Sequence, residues 1–211
     1  MASIRKYRKR GGLALGTTLV AAIVVGVLAG VGSAASHQIQ FRLLRSSGAV
    51  TAGCLPHAAG KVTVTSHGTF EVMKVKVHGL PARKDFDLFV IQVPNAPFGL
   101  SWYQGDIETD ATGRGSAAFI GRFNIETFIV APGTAPAPVV FHNAFPDANT
   151  NPATGPVHEY HVGLWFNSPK TAAKAGCGST VTPFNGTHNP GLQILSTRQF
   201  GDLHGPLRQL S

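Results

Sequence analysis

Short alternating segments separated by turn residues dominate the chain beyond its N-terminal region, and they constrain the fold more than any other feature. In Met73–His78, apolar and polar residues alternate with a period of two, which predicts a strand with one buried and one wet face. Phe86–Val93 is apolar on both faces over most of its length, as in a central strand. Val157–Phe166 predicts another strand, and only Pro169–Ala175 has helical character. The pattern predicts an all-β fold, an antiparallel β-sandwich of about eight strands.

The N-terminal region has the build of an export segment. A basic head at residues 5–10 precedes an uncharged run from Leu13 to Ala34, and small residues continue to Ser36. This order is typical of a secretory signal peptide, here cleaved after Ala34 or Ala35. The alternative is a membrane anchor, because residues 13–34 are about long enough to cross a bilayer. The sequence therefore predicts a secreted protein, or one anchored at residues 13–34.

Three parts follow from this division. Residues 1–36 form the signal peptide or anchor, and residues 37–60 carry few periodic signals and are interpreted as a lead-in segment. The strand pattern begins at Lys61, so residues 61–211 are predicted to form the β-sandwich domain. The chain beyond the export segment is long enough for one domain with a sizeable core.

The positive charge of the chain lies largely in the export segment. Of 18 Lys and Arg residues, five lie in the basic head, which leaves 13 against ten Asp and Glu. The remaining cations are scattered along the sequence and form no run that resembles a phosphate-tracking stripe. Nucleic acid is therefore not an expected partner, and membrane contact is expected only through an uncleaved N-terminal segment.

The chain contains two cysteines, Cys54 and Cys177, which lie 123 residues apart. An exported chain meets an oxidising compartment, so two cysteines most simply predict one disulfide. Such a bond would join points near the two ends of the domain.

A resemblance adds to this interpretation. The run His78–Ala82, followed by a strand and then by Gly105–Gly115, resembles the "GLPP…TDaxGxG" phrase of Ig-like sandwich modules in secreted bacterial proteins. The passage from His161 to Gly186 is similar to exported bacterial proteins of unassigned function. The resemblance implies an Ig-like sandwich and export. Its motifs are turn and core residues, so it implies no catalytic role.

Three aromatic residues are candidates for ligand binding. Trp102, Tyr103 and Trp165 could form a platform on which sugar rings stack. Trp102 and Tyr103 are neighbours in a strand, so one should face outward if the other faces inward. Packing in the sandwich core is the competing interpretation for all three.

Metal-binding patterns are incomplete. Asp147, Asn149 and Asn151 place oxygen atoms at alternate positions, as calcium loops do, although the set lacks the glycine and distal acid of an EF-hand. Ordinary turn formation is the alternative. His158 and His161 are three residues apart in a strand pattern, where they point to opposite faces, so a shared metal site is not expected. No cofactor other than calcium is suggested.

Asp106, Glu108 and Asp110 alternate along one predicted strand and so share a face. They could act as a carboxylate pair, but a solvated strand edge leading into a turn is the favoured interpretation.

Two function classes remain open. The first is a secreted or cell-envelope protein without enzymatic activity, which binds an extracellular polymer or protein or serves a structural role. The second is an extracellular hydrolase or metal-dependent enzyme whose site is assembled by folding from carboxylates and histidines. Convergence of Asp106, Glu108, His142, His158 or His161 in one pocket would favour the enzyme.

Overall fold

Eight antiparallel strands form one sheet in the computed structural model, which describes residues 37–123, 126–129, 154–182 and 189–210. The all-β prediction is confirmed. The elements are β1 (Gln38–Arg45), α1 (Ser47–Thr51), β2 (Ala59–Ser66), β3 (Glu71–His78), β4 (Asp85–Ile91), β5 (Ser101–Glu108), β6 (Gly115–Gly121), β7 (Glu126–Ile129), β8 (Thr154–Val157), β9 (His161–Phe166), α2 (Pro169–Lys174), β10 (Gln193–Ser196) and a 3-10 turn at Pro206–Leu210.

The strand order of the large sheet is β5-β4-β9-β10-β1-β2-β3-β6, and β7 and β8 form a separate pair. Strand β1 joins the two halves, because Gln38–Leu43 pair with β2 while Leu44 and Arg45 pair with β10. The two edge strands approach each other. A Cβ at Gly105 would lie 2.9 Å from the Phe119 ring, and Thr109 forms a bridge with Gly115. The sheet is therefore nearly closed around its core.

Residues 37–60, predicted to be a lead-in segment, instead contribute β1 and α1 to the folded unit. Residues Gln38–Leu43 alternate strictly between exposed and buried positions. The alternation is visible in the sequence, where amide and basic side chains occupy the solvent-exposed positions. Because Ile39, Phe41 and Leu43 face the core, the sheet begins at Gln38 rather than at Lys61.

Strands β4 and β9 bury both of their faces. Alternate residues of these strands enter the main core, whereas Phe89, Ile91 and Trp165 form a second apolar cluster on the other side, with Phe98 packed against it. This confirms the prediction that Phe86–Val93 contains a central strand, since β4 lies between β5 and β9.

The predicted helix and turn are also present. Ser168 caps α2 by accepting a hydrogen bond from the Thr171 N–H at 3.2 Å, and Pro169 begins the helix. Asp110 closes the β5–β6 turn, where its Oδ1 accepts bonds from Thr112 and from the Arg114 N–H. These bonds favour the charged carboxylate and lower the pKa of Asp110 below its ordinary value, the Thr112 side chain contributing most.

The predicted disulfide is confirmed. Cys54 and Cys177 are bonded, with their Cα atoms 5.3 Å apart. Each cysteine follows a short helix, α1 or α2, so the bond ties the end of one helix to the end of the other. A closed disulfide indicates an oxidising compartment. Within the described ranges, no helix is long and apolar enough to cross a membrane. The predicted export segment, residues 1–36, lies outside the described residues.

Candidate functional site

A groove beside the β4–β5 connection brings together two of the predicted aromatic residues. Trp102 is 47% exposed and Tyr103 is 40% exposed, and both line a cavity of about 690 Å³. Phe89 and Phe98 line the same cavity. We call these four residues the aromatic groove.

The expectation that one of Trp102 and Tyr103 would be buried is wrong, because both are exposed. They pair with different partners, Trp102 with Val90 and Tyr103 with Phe89. Their alternation along β5 is as expected, since Val90 belongs to the main core and Phe89 to the second apolar cluster. Strand β5 lies at the edge of the sheet, however, so neither side chain is covered by a further strand. Both therefore remain exposed.

Trp165 lies beneath the groove rather than in it. Its indole is fully buried, and its ring centroid is 5.2 Å from that of Phe89 and 5.0 Å from that of Phe98, both edge-on. Its Nε1–H donates to Thr182 Oγ1 at 3.1 Å. The indole covers Gly163, where a Cβ would lie 2.4 Å from it. Trp165 thus supports the aromatic groove but cannot stack on a ligand itself.

The loop that carries Phe98 is held by its own backbone. The Val93 N–H donates to the Phe98 carbonyl at 3.0 Å, and buried Gln92 accepts from the Leu100 N–H at 3.0 Å. Phe98 has φ +66, in the left-handed region that non-glycine residues seldom adopt. Such strained residues persist where the surroundings fix them, and they cluster at binding sites.

Phe98 separates the aromatic groove from a second cavity of about 470 Å³, which its side chain also lines. The surface of this second cavity is mostly apolar, and its polar side chains include Ser47, Asn95, Thr182 and Gln193. Gln193 is only 4% exposed, and its Nε2 has no hydrogen-bond partner in the part of the chain that the structure describes. All the described residues that line the two cavities are uncharged.

Tyr103 is fixed by its neighbour on the same strand. Its hydroxyl donates to Asp106 Oδ1 at 2.7 Å, and its ring packs against Phe89 at 5.5 Å. Burial and the Asp106 hydrogen bond both raise the pKa of Tyr103 above its ordinary value of 10.0. The phenol therefore stays protonated and its ring keeps one orientation in the groove.

The carboxylates and histidines considered for an enzyme do not gather. Asp106 and Glu108 lie on edge strand β5, and His161 is buried on β9. Among residues 37–123, 126–129, 154–182 and 189–210, no three His, Cys, Asp or Glu side chains could hold one metal ion. His142 and the calcium candidates Asp147, Asn149 and Asn151 lie outside the described residues.

His161 occupies a closed polar site. Its Nε2–H donates to the Asp202 carbonyl at 3.0 Å, which fixes Nδ1 as the acceptor from Thr197 Oγ1 at 2.9 Å. Burial lowers the pKa of His161 below its ordinary value of 6.5, against weaker opposing effects from the Asp202 carbonyl and carboxylate. The folded protein therefore holds His161 neutral.

This burial predicts an acid-sensitive stability. Because unfolded His161 takes up a proton more readily than the folded form, its contribution is complete above pH 6.5 and declines as the pH falls from 6.5 toward the lower folded pKa. Urea unfolding between pH 7.5 and 5.5 should show stability falling with pH, and the slope should be smaller in His161→Gln. The matched change at exposed His204, His204→Gln, should leave the slope unchanged. Equal slopes in all three proteins would contradict the assignment.

The largest feature missed by sequence reasoning is a row of cations on the other half of the sheet. Arg42, Lys61 and Lys76 are far apart in sequence, yet Arg42 pairs with Lys61 and Lys61 with Lys76. The expectation that the basic residues form no cluster is wrong for these three. One sequence signal could have indicated this pairing. Lys61 and Lys76 are the same number of residues from the β2–β3 turn, so a regular hairpin places them opposite each other.

Comparison of the chain with protein-family models, curated proteins and solved structures gave no match.

Proposed function

We propose that this protein is an exported binding protein, without enzymatic activity, that holds an uncharged extracellular polysaccharide in the aromatic groove. The single observation that carries the proposal is that Trp102 and Tyr103 are both exposed and line one cavity with an uncharged lining. Aromatic faces with an adjacent polar group suit sugar rings, which have an apolar face and hydroxyl edges.

Polar side chains in the second cavity support the same ligand class. The Ser47 hydroxyl and the Asn95 amide line this cavity, and such groups suit the hydroxyls of a sugar. Ser47 donates to Asn95 Oδ1 at 2.7 Å, so the wall between helix α1 and the Phe98 loop is held in place before a ligand arrives. Preformed sites bind with a smaller entropy cost.

Export and the Ig-like sandwich belong to this proposal. The order of basic, apolar and small residues at positions 1–36 supports secretion, or anchoring at residues 13–34, and the disulfide supports an extracellular setting. The eight antiparallel strands are compatible with the Ig-like resemblance, which stays a prediction. Extracellular polymers are the partners such a setting offers.

Removal of the Trp102 side chain tests the proposal. The two tryptophans of the chain differ in exposure, since Trp102 is 47% exposed and Trp165 is fully buried. A bound neutral glycan should therefore reduce acrylamide quenching of the Trp102 fluorescence. In affinity gel electrophoresis against neutral polysaccharides, we expect Trp102→Ala to weaken binding about tenfold or more, in line with the loss of one anchoring aromatic residue.

Ile120→Ala is the control, because Ile120 is an exposed apolar side chain (74%) on β6 that lines neither cavity. This variant should bind as the unmodified protein does. Equal binding by Trp102→Ala and the unmodified protein, or no retention by any neutral polysaccharide, would overturn the proposal.

A further inference from the structure

The outer face of the strands β1, β2, β3 and β6 carries a line of positive charge that crosses the strands. We call Arg42, Lys61 and Lys76 the basic row. They occupy directly opposite positions on β1, β2 and β3, and all three side chains are exposed. Neighbouring strands lie about 4.8 Å apart, so the row places three cations within about 10 Å. Lys74, two positions from Lys76 on β3, faces the same way.

No acidic side chain balances the row in the described part of this face. Outside the row itself, the cross-strand partners of Lys76 and Lys74 are Ser116, Ala118 and Thr63, and Thr63 pairs in turn with Gln40. The ion pair found among the described residues joins Arg122 to Glu71, whose carboxylate is buried and also accepts the Phe123 N–H. Asp110 precedes Arg114 in the next turn, and the turn itself occupies its carboxylate.

The basic row is not needed for the sheet. Like charges directly opposite each other on a sheet are destabilising, whereas the register is already set by the buried faces of the same strands. Val62 and Val75, which pair with each other on that buried face, are fully buried. The repulsion among these cations therefore lowers the stability of the fold, and a bound anion would reduce that repulsion.

The row borders a concave surface. Arg42, Lys61 and Lys76 line a cavity of about 530 Å³, together with His78 and Arg114. A line of amide and hydroxyl groups continues from it, in which Gln40 Nε2 donates to Thr63 Oγ1 at 3.1 Å and Gln38 Nε2 donates to Thr65 Oγ1 at 3.0 Å. The face thus offers regularly spaced cations beside hydrogen-bonding groups.

From this placement we infer that the outer face of β1, β2, β3 and β6 binds a linear anionic polysaccharide whose carboxylates contact Arg42, Lys61 and Lys76. The charge is complementary, and the Gln and Thr side chains suit the sugar hydroxyls that lie between charged groups. This site is separate from the aromatic groove and takes a ligand of different charge.

Other polyanions fit the face less well. A membrane-binding surface needs apolar side chains beside its cations to enter the lipid. Exposed Ile120 lies opposite Val72, four register positions away from the Lys76–Ser116 pair. Single-stranded nucleic acid is held by aromatic side chains between the cations, and the basic row has none among its described neighbours.

Paired lysine variants test the inference. We expect the protein to bind polygalacturonate, but not dextran, in low salt, with an affinity that falls as salt rises. Lys61→Gln with Lys76→Gln should weaken binding tenfold or more and reduce the slope of log affinity against log salt by about two. The double variant should melt no lower than the unmodified protein, because it relieves repulsion.

The matched control is Lys170→Gln with Lys174→Gln on α2, which makes the same change in net charge at two exposed positions elsewhere. It should retain binding, and so should Trp102→Ala, which separates this site from the aromatic groove. If the α2 variant loses as much affinity as the Lys61/Lys76 variant, the binding depends on net charge alone and the inference is overturned. Binding only to anionic phospholipid vesicles or to a DNA oligonucleotide, or no binding to polygalacturonate, would also overturn it.

Discussion

Replacement of both cysteines by alanine will lower the free energy of unfolding by about 5 kcal/mol, because the Cys54–Cys177 bond closes a loop of 123 residues. Most of this effect acts on the unfolded chain, whose conformational entropy rises when the loop is opened. Chemical denaturation of the unmodified protein and of Cys54→Ala/Cys177→Ala measures the difference. A loss of this size is a large part of the stability of most domains.

Reduction of the unmodified protein is the control for this experiment. It opens the same loop without changing the sequence, so it should lower stability by a similar amount. Both cysteine side chains are buried, at 6% and 2% exposure, so the alanine variant also leaves two small spaces. A difference below about 1 kcal/mol in both experiments would contradict the loop-closure explanation.

Trp165→Ala is expected to cost about 3–5 kcal/mol, the usual range for truncating a large buried aromatic residue. The indole is fully buried and contacts Phe89 and Phe98, and its N–H bond to Thr182 would be lost. Because Phe98 rests on this ring, glycan binding in the aromatic groove should weaken as well. Urea unfolding and affinity electrophoresis measure the two effects.

Trp102→Ala is the matched comparison, since it makes the same chemical change at a half-exposed position. We expect it to cost about 1 kcal/mol or less in stability while it reduces binding. The two variants should therefore separate support of the groove from contact with the ligand. Similar stability losses in both variants would show that Trp102 also belongs to the folded core. They would contradict the assignment of Trp102 to ligand contact and of Trp165 to support of the groove.

The parts of the fold that depend on residues close in sequence could be predicted from the sequence. The two-sided apolar run of β4, the Ser168 cap of α2 and the Asp110 turn each depend on neighbours in sequence. The disulfide was also predictable, because the two cysteines of a chain with a predicted export segment allow a single intramolecular pairing. Strand β1 was missed although its alternation is regular.

The basic row could not be predicted in the same way. Its residues belong to three strands, and only the pairing register brings them together. Exposure of Trp102 beside Tyr103 likewise depends on β5 being an edge strand, which is a property of strand order. Gln193 was not a sequence candidate, because a lone glutamine in an apolar segment gives no sign that the residue lines a cavity. Candidate sites on sheets thus depend on topology more than on motifs.

The position of β1 between β2 and β10 has a consequence for folding kinetics. Strand β10 follows β1 by about 150 residues, so the two halves of the sheet cannot be joined until the C-terminal strand is available. Contacts between distant parts of a chain form slowly. We therefore expect the sheet to close late, after nearly the whole chain has been synthesised. Late closure would suit the export that the sequence predicts, because an open sheet leaves the chain easier to hold unfolded.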